Sequence, residues 1–299
     1  MLYIYTLEYR IVGKLKAWVK QILGRDFGGP KMVMESLLHG FNELGQEYLL
    51  NTAPKKPGVV AGVLNGAEVL MWAIKQKQLG KIQRIVAGPN IVILPSHENG
   101  ILRNSAIDAI LVPSNWVKES YVKDSPELAE KIFVWPAGIY IPEMGNESKD
   151  IDFLIYNKVG ETKLIEEIRT RVKGCKVKEL TYGNFKQADY FSWLNRTKYL
   201  VYVSESESQG LAMFEAWARN VPVLAWERGY AVAGEVTVEG KTSAPYMHVR
   251  AGRSFSNASD LGKIIESLSQ LSFDPRAYIL EYFSPEVCAK NYLAIINNA

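Results

Sequence analysis

The stretch SESESQGLAMFEAWARNVPVLAW, residues 204–226, gathers the side chains best suited to chemistry: Glu207 and Glu215, with Gly210-Leu211 between them. A carboxylate accepts a hydrogen bond on each oxygen, so Glu207 suits sugar hydroxyls and Glu215 a vicinal diol such as a ribose. Glycine has no side chain, so a phosphate can approach the main chain at Gly210. A helix starting there would add unpaired N–H groups and the positive end of its dipole. Such a set grips hydroxyls and a phosphate together. Two plainer readings stand beside this one. Ser204-x-x-Glu207 also fits a helix capping box, and Glu215 also fits an exposed helix face.

The flanking residues say what must position these groups. KYLVYV before them reads as a strand, GLAMFEAWA as a helix and VPVLAW as the next strand, with Pro222 at a strand entrance where a missing N–H does no harm. The carboxylates would then flank a strand-to-helix turn at the carboxyl edge of a parallel sheet, where open α/β sheets bind ligands. Strand-length apolar runs recur at 2–5, 47–51, 59–64, 84–87, 109–112, 132–135, 153–156, 176–180, 199–203 and 222–226, and helical patterns separate them. Several, such as YLVYV, are apolar at consecutive positions, the habit of parallel strands covered on both faces. The expectation is an α/β chain of two doubly wound, Rossmann-like domains. A Pro- and Gly-bearing stretch at 135–150 separates them, giving an amino-terminal domain over 1–142 and a carboxyl-terminal domain over 143–299.

The pattern S-x-x-E-x-x-G-L-x-x-x-E-A-x-A-x-x-x-P-V, carried by Ser204, Glu207, Gly210, Leu211, Glu215, Ala216, Ala218, Pro222 and Val223, resembles the E-x7-E signature of retaining glycosyltransferase family 4. The resemblance implies the GT-B fold, two Rossmann-like domains facing each other across a cleft. It also implies that Glu207 contacts the donor sugar, that Glu215 holds the nucleotide ribose and that the backbone at Gly210 and Leu211 binds the diphosphate. Asn220 departs from the usual glycine, although asparagine tolerates a left-handed backbone. Gln209 departs from the usual aromatic. The family's pair of cations near the first carboxyl-domain strand corresponds to Lys158 and Lys163, which would stabilise the charge gathering on the leaving group; lysine at 158 gives a point charge in place of an arginine fork. Gly28 and Gly29 resemble the amino-terminal glycine loop, and Gly183 a glycine beside the base. Tyr182 or Phe185 would pack on that base or belong to the core. The final helix, about 284–297, resembles one that packs back toward the first domain.

The implied activity is transfer of a hexosyl group from a nucleotide-diphosphate sugar to a hydroxyl of a sugar or lipid-linked acceptor, with retention and without a metal or other cofactor. Glycan, polysaccharide or glycolipid synthesis would use it. The alternatives are a GT-B phosphorylase or small-glycoside synthase, a non-catalytic nucleotide-sugar-binding subunit, and a plain nucleotide-binding Rossmann protein.

Asp150-x-Asp152 resembles the metal pair of another glycosyltransferase fold, but its place before a strand puts it at the edge away from the ligand. His97 reads as an exposed loop histidine in preference to the active-site histidine that the family often carries in its amino-terminal domain. The segment from Ile11 to Arg25 carries an apolar stripe with Trp18 and lysines off it, a pattern suited to an anionic membrane surface or to packing on a protein face. A net charge of +3 over 299 residues argues against nucleic acid. Two cysteines, Cys175 and Cys288, lack metal-ligand spacing, and no signal peptide or spanning run is read; the expectation is the reducing cytoplasm, peripherally on a membrane if the 11–25 stripe docks there.

Overall fold

The computed structural model describes residues 2–7, 28–145 and 147–298, so the Ile11 to Arg25 segment lies outside the described residues. The chain forms two compact units, one of Met1–Gly138, Val232–Val238 and Ser284–Ala299, the other of Ile139–Ala231 and Glu239–Phe283. The unit boundaries put the closing residues with the first unit.

In the first unit six strands form one sheet in the order β2-β1-β3-β4-β5-β6: β1 (Leu2–Tyr5), β2 (Tyr48–Leu50), β3 (Val59–Asn65), β4 (Ile82–Asn90), β5 (Ala109–Val112) and β6 (Ile132–Val134). Every pairing in it is parallel. All four residues of β1 and of β5 are buried, so helices cover both faces, as the consecutive apolar positions demand. Among these helices are α1 (Gly29–Glu43), α2 (Ala67–Gln78) and α3 (Asn115–Asp124).

The last helix, here called the closing helix (Pro285–Asn298), also packs in this unit. A Cβ at Gly40 of α1 would lie 2.2 Å from the Pro285 carbonyl oxygen, and one at Gly62 of β3 would lie 1.9 Å from the Tyr292 hydroxyl; only glycine permits this approach. Trp135 Nε1 donates to the Cys288 carbonyl at 2.8 Å. Arg84 donates to the Ile296 and Asn297 carbonyls at 2.9 and 3.0 Å, placing a cation at the negative end of the closing helix.

The second unit carries a five-stranded sheet in the order β13-β10-β9-β7-β8: β7 (Ile151–Asn157), β8 (Val177–Thr181), β9 (Thr197–Val203), β10 (Val223–Trp226) and β13 (Gly252–Phe255). It too is parallel throughout. Helices α4 (Lys163–Arg171), α5 (Gln187–Arg196), α6 (Leu211–Ala218), α7 (Ala258–Ser267) and α8 (Pro275–Phe283) belong to this unit. From β7 the chain adds β8 on one side and then crosses to add β9 on the other. The strand order therefore reverses between β7 and β9, and there the loops leaving the two carboxyl ends splay apart.

All ten strands expected from the sequence are present, with ends moved by up to three residues. Three strands were not legible: β13 and a separate two-stranded ribbon, β11 (Tyr230–Ala233) with β12 (Val236–Glu239). β13 is a short edge strand, GRSF, whose middle residues are partly exposed. In β11 the inward residues are Ala231 and Ala233, while Tyr230 and Val232 face out, so burial runs opposite to side-chain bulk. The stretch 227–240 is in part this ribbon.

Candidate functional site

The reversal point of the second sheet positions the site. β7 ends at Asn157, whose fully buried side chain accepts from the Val159 and Gly160 amides, both at 3.0 Å, and donates to the Gly160 carbonyl at 3.1 Å. That tight turn fixes the direction in which Lys158 leaves the strand. β9 ends at Val203 and leads through Ser204 to Glu207. The two side chains meet: Lys158 Nζ donates to Glu207 Oε1 at 2.5 Å. The same oxygen accepts from Tyr202 Oη at 2.7 Å and from Ser204 Oγ at 2.8 Å. Ser204 therefore binds the Glu207 carboxylate, which rules out the capping-box reading. The Glu207 amide donates to the Thr242 carbonyl at 2.8 Å, while Glu227 Oε2 accepts from the Ser243 amide at 3.0 Å. The 242–243 segment thus braces the Glu207 loop from its other side.

Gly210 is the N-cap of α6 and sits at φ +87°, in the left-handed region where glycine is favoured. Its lack of a side chain leaves room for Met213 Cε to pack against the turn, and α6 begins at Leu211. Glu215 lies one turn further along α6 and is only 5% exposed, which excludes a surface role. Gln187 Nε2, at the start of α5, donates to Glu215 Oε1 at 2.7 Å. Burial pushes the Glu215 carboxyl up to about 7; the Gln187 hydrogen bond and the nearby Arg219 charge only partly oppose this.

An aromatic seam underlies the carboxylates. Tyr156 and Tyr202 are register partners on β7 and β9, and their rings stack at 5.1 Å. Tyr156 also meets Phe185 at 5.5 Å and Tyr190 at 5.0 Å. Burial, and then the charges of Glu207 and Glu215, hold the Tyr156 phenol well above its ordinary value.

The remaining expected residues divide. Gly183, at φ +86°, makes the turn after β8, and beside it Tyr182 is 60% exposed with Lys158 Nζ 4.7 Å above its ring. Tyr182 is thus open to a flat partner, and Phe185 is the packed one. Lys163 is not gathered into the cluster: its side chain is 88% exposed at the first position of α4 and faces Glu167 at 3.7 Å. Gly28 and Gly29 belong to the first unit, where Gly28 caps α1 with an ordinary φ of −70°. Asn220 adopts the left-handed backbone, φ +56°, and Gln209 is buried.

His97 is half-buried, not exposed as expected. A Cβ at Gly234, in the Val232–Val238 part of the same unit, would lie 3.2 Å from its Cε1. Asp150 pairs with Arg196 at 2.6 Å and Asp152 with Lys198 at 2.8 Å. Among the described residues no group of three or more His, Cys, Asp or Glu could hold a metal ion, and no helix is long and apolar enough to cross a membrane. Cys175 is exposed and Cys288 buried, and both are free thiols. Tyr202 and Gln187 were not identified from the sequence. Tyr202 reads there as one more apolar strand position, and Gln187 carries no local signal.

No family model matches the chain, and no curated protein does. Solved structures do. The chain is similar to the lipopolysaccharide outer core galactosyltransferase WaaB in its apo form, at 13% identity, with 100% of this chain and 99% of that one covered and a TM-score of 0.63. It is similar to sucrose-phosphate synthase from Thermosynechococcus elongatus at 12% identity, with 99% and 98% covered and a TM-score of 0.58. A third likeness is to a TarM mutant of S. aureus in complex with fondaparinux, alpha-GlcNAc-glycerol and UDP, at 14% identity, covering 79% of this chain and 55% of that one with a TM-score of 0.51. The chain has the fold of GT-B glycosyltransferases. At these identities the likeness is one of fold.

Proposed function

We propose that the chain is a glycosyltransferase that moves a sugar from a nucleotide-diphosphate sugar to a hydroxyl of a sugar or lipid-linked acceptor. The observation that carries the reading is the meeting of Lys158, Glu207, the Gly210 turn and buried Glu215 around the reversal point of one parallel sheet. Lys158 supplies charge for the diphosphate, and the amino-terminal end of α6 adds the positive end of its helix dipole. Glu207 accepts from donor-sugar hydroxyls. Glu215, held at Oε1 by Gln187, is assigned to a ribose diol. The exposed face of Tyr182 suits the base.

The reaction breaks the bond between the anomeric carbon and the phosphate oxygen and forms one to the acceptor oxygen. The acceptor proton passes to the departing phosphate on the same face, so configuration is retained. Lys158 is the fixed cation that stabilises the leaving group, and we propose that the reaction needs no metal; Lys163, exposed and facing Glu167, takes no part in this arrangement. A reducing cytoplasmic setting fits two free cysteines. A membrane face for the acceptor rests on the Ile11 to Arg25 stripe alone, and liposome flotation tests it: unchanged binding in a Trp18→Ala, Ile22→Ala double variant removes it.

Calorimetry with UDP and GDP, and release of nucleotide diphosphate from their sugars with hydroxyl acceptors, test the central reading. Glu215→Ala should mainly weaken nucleotide binding, and Glu207→Ala should mainly lower turnover. A wild type that binds no nucleotide diphosphate refutes the assignment. Binding without turnover of any donor points to a nucleotide-sugar-binding subunit.

A further inference from the structure

We infer that Tyr202 is a positioning residue of this site: its buried phenol, together with Ser204, holds the Glu207 carboxylate in place when Lys158 leaves it for the donor diphosphate. The inference rests on the glycosyltransferase reading and goes beyond it.

In the present arrangement Lys158 and Glu207 satisfy each other at 2.5 Å. A lysine placed for a diphosphate and a carboxylate placed for sugar hydroxyls cannot both keep that contact once a donor is bound, because the diphosphate competes for the ammonium. Loss of the cation would free Glu207, a side chain with several rotatable bonds, to swing toward solvent at the moment its orientation matters. Tyr202 and Ser204 prevent this. Both donate to the same Oε1, at 2.7 and 2.8 Å, and both are almost fully buried, at 1% and 3% exposure. They are anchored in or beside β9, and the Tyr202 ring is fixed by stacking on Tyr156. Their hydrogen bonds are therefore preorganised and do not depend on the ligand. Burial, and then the adjacent Glu207 charge, push the Tyr202 phenol well above its ordinary value, so it remains a donor throughout the working range.

Tyr202→Phe tests the inference, since it removes the hydroxyl and keeps the stacked ring. Steady-state kinetics, nucleotide titration, melting and a crystal structure are read together on wild type and variant. A hydrogen bond to a charged group of this kind translates to a fall in kcat of about ten- to a hundredfold. Donor KM and nucleotide diphosphate affinity should stay within about twofold, and the melting temperature within a few degrees. In a crystal of the variant with nucleotide diphosphate bound, where the ligand engages Lys158, the Glu207 carboxylate should leave its place beside Ser204. Adding Ser204→Ala should lower kcat further with nucleotide affinity still intact. Unchanged kcat, or a Glu207 that keeps its place in nucleotide-bound Tyr202→Phe, overturns the inference. So does a joint loss of kcat, nucleotide affinity and melting temperature, which would mark Tyr202 as purely structural. A wild type that binds no nucleotide diphosphate is a different failure: it refutes the glycosyltransferase reading, and the catalytic meaning of Tyr202 with it.

Discussion

Replacing Glu215 with glutamine should make the protein more stable at pH 8 and at the same time weaken its grip on nucleotide. Glu215 is nearly fully buried, and burial raises its carboxyl from 4.5 to about 7. Below about pH 4.5 the carboxyl is protonated in folded and unfolded chains alike and takes no toll on folding. Between 4.5 and about 7 the unfolded chain releases the proton while the folded chain retains it, so stability falls as pH rises. Above about 7 both states are ionised and the loss is complete, at roughly 3 kcal/mol, since each tenfold in the proton equilibrium is about 1.4 kcal/mol. Glutamine keeps the shape and can still accept from Gln187, but it carries no charge to desolvate. Urea denaturation of the two proteins at pH 5 and pH 8 measures the effect. The variant should lead by roughly 3 kcal/mol at pH 8, and the lead should shrink by about 2 kcal/mol or more at pH 5. The same variant should bind nucleotide diphosphate more weakly, because an amide held by Gln187 on its oxygen offers the ribose a donor where a second acceptor stood. A gain of stability with a loss of binding is the signature of a group kept for function at a cost to the fold. A variant no more stable than wild type at pH 8, or a lead that does not change with pH, refutes the reasoning.

Other changes test other parts. Gly210→Ala forces a side chain into a left-handed backbone and against Met213 Cε, 2.3 Å from the new Cβ; it should cost about 1–3 kcal/mol by denaturant titration and weaken nucleotide binding. Lys158→Met should lower turnover on the order of a hundredfold or more, by nucleotide-release assay, while the fold persists. Gly62→Ala should destabilise by about 3 kcal/mol, because the new methyl collides with the Tyr292 hydroxyl. That hydroxyl is buried with no hydrogen-bond partner, so Tyr292→Phe alone should be neutral or mildly stabilising and should recover part of the Gly62→Ala loss; a double variant whose melting temperature shows simple additivity would contradict the collision.

Local information carried the elements and left their arrangement open. Consecutive buried positions in LYIY, AILV and KYLVYV are enough to call for parallel strands covered on both faces, because backbone geometry fixes which neighbours share a face. The spacing of Glu207, Gly210 and Glu215 likewise placed a carboxylate before a helix, a bare turn at its start and a second carboxylate within it, all inside one stretch of 23 residues. β11 and β13 escaped because small or polar residues stand where apolar bulk would have signalled a strand. Strand order is a different kind of fact. That β9 lies beside β7 opposite β8 follows from how whole βα units pack, and no periodicity within a segment records it. That order alone brings Lys158 onto Glu207 across 49 residues and Gln187 onto Glu215 across 28, leaves Lys163 in solvent, and sinks Glu215 far enough from water to move its proton equilibrium. Desolvation and side-chain meetings depend on everything that surrounds a residue, so the sequence alone determined which groups were available, and the tertiary structure decided which of them act together.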